Sequence, residues 1–266
     1  MILVGESLNG TIMDVGMAIL DKDENYILDL AKTQIDCGAN LLDINAGVAG
    51  GEETEDLLWA IKTIQGKFSI PICLDSDDPQ ALKSAFSVTQ NPEKCLINSV
   101  SGDPKKLDLI FPIVSEFKCG VVALCLDDKG IPHDVDSRLE IADRIMASAL
   151  QHGIKPEQLY FDPLVFSIST DTMAGNTTMK TLIALKTKYP TSKSICGLSN
   201  ASHGLPQRKL LNRTFLVMNY ALGMDAFIVD VRDSALMATV FAARALTGQD
   251  ARSAGYISAF RQHKLG

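Results

Sequence analysis

The sequence has no Cys-x-x-Cys pair, and Cys37, Cys73, Cys95, Cys119, Cys125 and Cys196 stand singly inside apolar runs. That spacing argues against thiolate zinc and dithiol redox sites and leaves reduced core thiols. Histidine is also sparse: His133, His152, His203 and His263 share no ligand spacing, so a histidine zinc site or a Ser-His-Asp triad has little support. Basic charge is in deficit. The 25 Lys and Arg face 32 Asp and Glu, giving a net charge of −7, and so acidic a chain is a poor partner for nucleic acid. No apolar run is long enough to span a bilayer, and Met1-Ile2-Leu3-Val4-Gly5-Glu6 lacks a basic n-region and a full apolar stretch. The expected location is therefore the cytoplasm, with no membrane partner. No linker, composition break or low-complexity run divides the chain, and residues 1–266 are expected to form one domain.

What is present is a regular alternation. Eight short apolar segments recur, at 2–5, 41–45, 70–75, 95–98, 121–127, 159–162, 194–200 and 226–230. They are almost wholly apolar, as parallel strands covered on both faces are. Between them, stretches such as 52–67, 134–152 and 235–246 show helical spacing with charged outer faces. Strand and helix repeated eight times predict a single α/β domain, a (β/α)8 TIM barrel, and the chain length agrees with the roughly 250 residues typical of that fold. An extra helix over 12–20 is expected ahead of the first barrel helix near 25–37.

Barrels of this kind build their active sites at the C-terminal ends of the strands. Here those ends offer Asp43 and Asn45, Asp75, Asn98, Asp127, Asp162, Asn200 and Asp230, with Glu6 and Asn9 after the first strand. No segment carries an interior lysine, since Lys94 and Lys193 only precede strands, which argues against Schiff-base aldol chemistry. Carboxylates and amides without His, Lys or Cys suit a flat heterocycle. A pterin presents an amino group and a ring N–H along one edge, and one carboxylate, Asp75 or Asp162, can accept both. An amide such as Asn98 or Asn200 satisfies a ring nitrogen or carbonyl beside it without adding a second buried charge. The same oxygen-rich set also suits magnesium or manganese, and Asp residues after strands often cap the next helix. Asn200 has a turn or cap role as its alternative, Asp162 a turn before Pro163, and Asp75 a cap for the helix at Asp78-Pro79, although Asp77 and Asp78 are nearer.

Longer motifs narrow these options. Gly5-Glu6-Ser7-Leu8-Asn9, Leu42-Asp43-Ile44-Asn45, Cys73-Leu74-Asp75-Ser76, Ile97-Asn98-Ser99, Gly130-Ile131-Pro132, Asp162-Pro163-Leu164, Gly197-Leu198-Ser199-Asn200 and Leu211-Asn212-Arg213-Thr214-Phe215 span nearly the whole chain. Together they resemble the pterin-binding methyltransferases, which pass a methyl group between tetrahydrofolate and a corrinoid protein. The likeness is greatest to the methyltetrahydrofolate:corrinoid/iron-sulfur protein methyltransferases and the related methylcorrinoid:tetrahydrofolate methyltransferases. Several of the motifs are shared loosely with dihydropteroate synthase and with the folate module of cobalamin-dependent methionine synthase. The lysine near the end of strand seven and the late Ser-x-Arg-x-His anion site of dihydropteroate synthase are missing, and Gly197-Leu198-Ser199-Asn200 favours methyl transfer.

The resemblance implies a pterin edge clamped by Asp75, Asn98 and Asp162, a pocket shaped by Gly197 and Ser199, and Asn200 approaching the N5 nitrogen that carries the methyl group. Asn200 and Asp162 are the catalytic residues it implies. Asp43 and Asn45 are expected to support the ligand-contacting groups from behind, and Arg208 to meet the folate tail or the corrinoid partner, or merely to open a helix. Two departures stand out: His203 replaces a Gln that lines the pterin pocket in the family, and Leu126-Asp127-Asp128 replaces a more neutral stretch. His203 is open to three roles: proton relay, modifier of pterin affinity, or substitute for the amide contact. The substrate implied is tetrahydrofolate or methyltetrahydrofolate, with no bound metal. No cobalamin-binding histidine motif is evident, so the corrinoid (cobalamin) is expected on a separate partner protein. The resemblance also implies a homodimer, for which 218–224 offers apolar surface. Competing readings are a dihydropteroate-synthase-like enzyme, a metal-dependent barrel lyase and a non-catalytic pterin-binding protein.

Overall fold

The computed structural model describes residues 1–265. Its strands are β1 (Ile2–Asn9), β2 (Leu41–Asn45), β3 (Ile72–Asp75), β4 (Leu96–Ser101), β5 (Gly120–Leu124), β6 (Leu159–Asp162), β7 (Lys193–Gly197) and β8 (Ala226–Val229). Each pairs in parallel with the next, and β8 returns to β1, pairing Ile2 with Ala226, so the barrel closes. The helices are α1 (Met13–Leu20), α2 (Glu24–Cys37), α3 (Glu53–Gln65), α4 (Pro79–Val88), α5 (Pro104–Phe117), α6 (Val135–Gln151), α7 (Ala174–Lys188), α8 (Arg208–Ala221), α9 (Ser234–Leu246) and α10 (Ala254–Arg261). The expected (β/α)8 barrel is thus observed, with α1 inserted before the first barrel helix and α10 added after the eighth unit. Among the described residues no helix is long and apolar enough to cross a membrane.

Aspartates start many of the helices. Asp23, Asp78, Asp103, Asp134 and Asp233 each accept a hydrogen bond from a backbone N–H in the first turn of α2, α4, α5, α6 and α9. Such a cap is worth about 1 kcal/mol, and Pro79 and Pro104 add a preset φ at the first helical position. Because Asp78 caps α4, Asp75 is not needed for that purpose.

The core has two layers. Between strands and helices lie large apolar residues such as Ile44, Ile61, Leu74, Phe86 and Phe111 on one side and Leu182, Leu216 and Phe227 on the other. Inside the barrel, each strand contributes one residue to a packed lumen: Val4, Leu41, Cys73, Leu96, Val122, Tyr160, Ile195 and Ala226. Tyr160 is the bulkiest of these, and Gly120 makes room for it. A Cβ at Gly120 would stand 2.5 Å from a Leu96 methyl and 3.1 Å from the Tyr160 ring.

Several boundaries differ from the sequence reading. β1 and β4 run on to Asn9 and Ser101, each with a register irregularity, between Gly5 and Leu8 and between Ile97 and Val100. β5 stops at Leu124, so Asp127 lies in a loop, where Arg144 Nη1 donates to it at 3.2 Å. β7 stops at Gly197, and 198–202 form a 3-10 turn, so Asn200 ends no strand. Lys193 is the first residue of β7, at the end remote from the mouth, and its Nζ donates to the Tyr160 hydroxyl at 2.8 Å.

Candidate active site

The lumen layer fixes what lies above it. Side chains alternate along a strand, so the residue two positions after each lumen residue faces inward again, one layer nearer the mouth. Counting two onward from the lumen set gives Glu6, Asp43, Asp75, Asn98, Leu124, Asp162, Gly197 and Ile228. Four carboxylates and one amide therefore crown an apolar floor. Asp43 and Asp162 are buried, at 4% and 8% exposure, while Glu6, Asp75 and Asn98 are half-buried.

On the β2–β4 side these groups pair. Asn45 Nδ2 donates to Asp75 Oδ2 at 3.1 Å, and Asn98 Nδ2 donates to Asp43 Oδ1 at 3.2 Å. Burial and the Asp75 charge push the Asp43 carboxyl up to about 7, against hydrogen bonds from Cys73 and Asn98. Burial also raises Asp75, against the Asn45 hydrogen bond.

Across the ring, Asp162 performs its turn role and still faces the lumen. Its Oδ1 accepts from Leu164 N at 2.7 Å, and burial lifts it to about 6, against hydrogen bonds from the Leu164 and Gly197 N–H groups and the charge of Arg138. After Gly197 the turn carries Ser199 and Asn200. A Cβ on Gly197 would lie 3.6 Å from Asn200 Nδ2, so the amide hangs over that glycine. Asn200 is exposed, and among the described residues no hydrogen bond engages its side chain. Its backbone oxygen accepts from His203 N at 3.2 Å.

A pocket of 340 Å³ opens beside this turn, lined by Glu6, Ser199, Arg208, Asn212, Asp230 and Leu236 among others. Arg208, exposed at the start of α8, reaches back: Nη2 donates to Ser199 O at 2.8 Å and Nε to Ser202 Oγ at 3.2 Å. Ser202 Oγ in turn donates to Asn212 Oδ1 at 2.6 Å. The stretch from Ser199 to Asn212 is thus one hydrogen-bonded unit. Burial and the Asp230 charge push Glu6 up to about 7, against the nearby charges of Arg208 and Arg232. Asp230 itself is held by Arg232, with Nε 2.8 Å from Oδ1 and Nη2 3.2 Å from Oδ2.

The structure therefore brings together Asp43 with Asn98, Asn45 with Asp75, Asp162 with Gly197, and Ser199 with Arg208. Among the described residues no side-chain hydrogen bond joins the Asp43, Asn45, Asp75 and Asn98 group to Asp162, Ser199 or Asn200. His203 is exposed and outside the 340 Å³ pocket, with its backbone oxygen taken by Ser167 and Ser169 hydroxyls. The sequence offers Glu6 as a strand-end carboxylate and Asn212 as a motif residue, without a role for either. Counting two from Val4 finds Glu6. Asn212 depends on the fold of the 198–202 turn. Among the described residues, no three His, Cys, Asp or Glu groups come together as metal ligands.

Known proteins match this chain along its length. It is 36% identical over 268 residues to methylcorrinoid:tetrahydrofolate methyltransferase of Eubacterium limosum, covering 100% of this chain and 98% of the relative. It is 29% identical over 224 residues to methionine synthase of Mycobacterium tuberculosis, covering 80% of this chain and 19% of that longer protein. The crystal structure of Yersinia pestis dihydropteroate synthase superposes with a TM-score of 0.67 at 16% identity, covering 95% of this chain and 93% of that one, which is a likeness of fold. Residues 12–230 match the family described as pterin binding enzymes. A closed barrel with an acid- and amide-lined mouth, matched across most of its length by that family, makes the chain a member of the pterin binding enzymes.

Proposed function

We propose that this barrel, as one domain, moves a methyl group between N5 of tetrahydrofolate and the cobalt of a separate corrinoid protein. The observation that carries the reading is the free Asn200 amide beside Gly197 and Asp162, in a chain that aligns over its full length with a methylcorrinoid:tetrahydrofolate methyltransferase.

Asp75 and Asp162 accept from the amino and ring N–H groups of the pterin, and Asn98 satisfies the neighbouring ring position. Both acids are raised by burial, and Asp75 also by the charges of Asp77 and Glu53. A ligand edge made of donors replaces the hydrogen bonds that burial takes from these carboxylates, which gives the site a physical reason to prefer a pterin over an acceptor-edged ring. Gly197 leaves the ring plane clear, and Asn200 meets N5.

When the methyl leaves N5, negative charge develops on that nitrogen, and the Asn200 amide or a water held by it donates there. When the methyl arrives, the N5 lone pair forms the new carbon–nitrogen bond, the bonding pair stays on cobalt, and the N5 proton leaves to a water held by the Asn200 amide. Both directions use one site. Arg208 braces the Ser199 turn and lies within reach of the folate tail or the partner. We further propose a cytoplasmic homodimer. Leu210 and Met218 on α8, and Leu222 just after it, leave apolar surface exposed, whereas Met224 belongs to the core.

Calorimetric titration with methyltetrahydrofolate tests the pocket without any assumption about the partner. Saturable binding at one site per chain is expected, and no binding by the folded protein would overturn the proposal. Transfer of label from methyltetrahydrofolate to a cob(I)alamin-loaded corrinoid protein then separates an enzyme from a pterin-binding protein that lacks turnover.

A further inference from the structure

The largest fully buried side chain in the molecule is that of Arg138, in the first turn of α6. Burying a guanidinium is costly unless its charge and its N–H groups are satisfied. Among the described residues no carboxylate lies within ion-pair distance of it. Backbone carbonyls satisfy it instead: Nε donates to Pro132 O at 2.9 Å, and Nη1 donates to Pro163 O at 2.6 Å and Leu164 O at 2.9 Å. Pro132 belongs to the loop after β5, and Pro163 and Leu164 directly follow Asp162.

Leu164 has φ +62°, in the left-handed region that a non-glycine residue adopts only where its surroundings hold it there. Three bonds hold it there. Its N–H donates to Asp162 Oδ1 at 2.7 Å, and its oxygen accepts from Arg138 and from Thr178 Oγ1 at 2.7 Å. The turn that aims the Asp162 carboxylate inward is therefore pinned from behind by Arg138. The short, rigid fork of the guanidinium ties two mouth loops to one helix.

We propose that Arg138 is a positioning residue for Asp162, fixing from outside the pocket the backbone turn that presents this carboxylate to the pterin. Calling the ligand a pterin rests on the proposed function; the positioning itself does not.

The charges around Asp162 make the proposal measurable. From the loop after β5 it faces Cys125, from β7 Cys196, and from α6 Arg138; burial pushes both thiols up, so they stay neutral. The charges of Asp134 and Asp171 also act on Arg138. The Leu164 and Gly197 N–H groups hold Asp162 down most against burial, and Arg138 adds its positive charge to theirs while fixing the Leu164 turn that supplies one of them.

Two variants and two readouts test this. In the ligand-free protein, ¹³C NMR of the Asp162 carboxyl should titrate at higher pH in Arg138→Met than in the parent protein. Arg138→Lys keeps the charge, but its single ammonium cannot serve all three carbonyls, so its Asp162 titration should stay near that of the parent. Its affinity for methyltetrahydrofolate should nevertheless fall about tenfold through the loosened turn. An unchanged titration in folded Arg138→Met, or unchanged affinity in Arg138→Lys, would overturn the proposal. If Arg138→Met does not fold, the Arg138→Lys affinity decides. A parent protein that fails to bind methyltetrahydrofolate would sink the methyltransferase reading and leave the carboxyl titration of Arg138→Met as the test of positioning.

Discussion

The two sides of the barrel mouth are built by different means. On β2, β3 and β4 the polar groups stand on ordered strands and are paired with one another, Asn45 with Asp75 and Asn98 with Asp43. On β6 and after β7 they depend on turns: Asp162, the last residue of β6, is aimed by its bonds to Leu164 and Gly197 in the segments that follow, Ser199 is strapped by Arg208, and Asn200 rides an exposed turn with its amide uncommitted. The first side has the rigidity that recognition of a fixed ring edge needs. On the proposed function, the second keeps one donor free for charge that appears only during the reaction, and interactions of that kind raise turnover instead of affinity.

Removing the free donor is the sharpest way to break this contrast. Asn200→Ala is expected to lower the rate of methyl transfer about a hundredfold, roughly 3 kcal/mol, as loss of one preorganised donor typically does. Since Asn200 is exposed and its side chain unbonded, the melting temperature should not move, and methyltetrahydrofolate affinity should change by only a few-fold. Steady-state kinetics beside calorimetry checks it. Unchanged turnover would remove Asn200 from the chemistry.

On the strand-built side the expected signature is reversed. Asp75→Asn exchanges a charge-assisted acceptor for a neutral amide and should weaken methyltetrahydrofolate binding by roughly thirtyfold, about 2 kcal/mol. Turnover at saturating folate should stay near that of the parent. If kinetics at saturation instead showed a large fall in turnover with intact affinity, the division between a binding side and a reacting side would fail.

How far the sequence could be read follows the same division. Strand ends are written in residues of one apolar run, so Asp43, Asn45, Asp75, Asn98 and Asp162 could be placed at the mouth from spacing, and the eight runs announced the barrel. Asn200 was read as the end of a longer strand, because Leu198 continues the apolar pattern. In the fold Leu198 is buried from a 3-10 turn, which periodicity does not distinguish from a strand. Asp127 was misplaced for the same reason, with Cys125 buried beyond the end of β5. Arg138 left no signal. It sits at a helix start among charged neighbours, and only the convergence of two distant loops on its guanidinium explains why it is buried. Contacts made by backbone carbonyls have no residue type to mark them.

The mildest perturbation concerns Asp43, which lies behind the binding side. Its folded value near 7 stands above the roughly 3.9 of an unfolded aspartate, so the native state holds the extra proton between those limits. Stability from this group is therefore present below about pH 4 and declines as the pH rises through about 7. Glu6, near 7, and Asp162, near 6, slope the same way, so only a difference between two proteins isolates Asp43. Asp43→Asn retains an oxygen to accept from Asn98 Nδ2 and loses the titration. Thermal melts should coincide at pH 4.5 and separate as the pH rises, with the variant more stable at pH 8 by about 2 to 4 °C for each kcal/mol relieved. Parallel melts across that range would mean that Asp43 is hydrated and that the strand-built side is less dry and less fixed than its paired amides imply. A separation confined to high pH would place the cost of the rigid side where the geometry puts it: in a carboxylate kept out of water so that Asn98 is held in place.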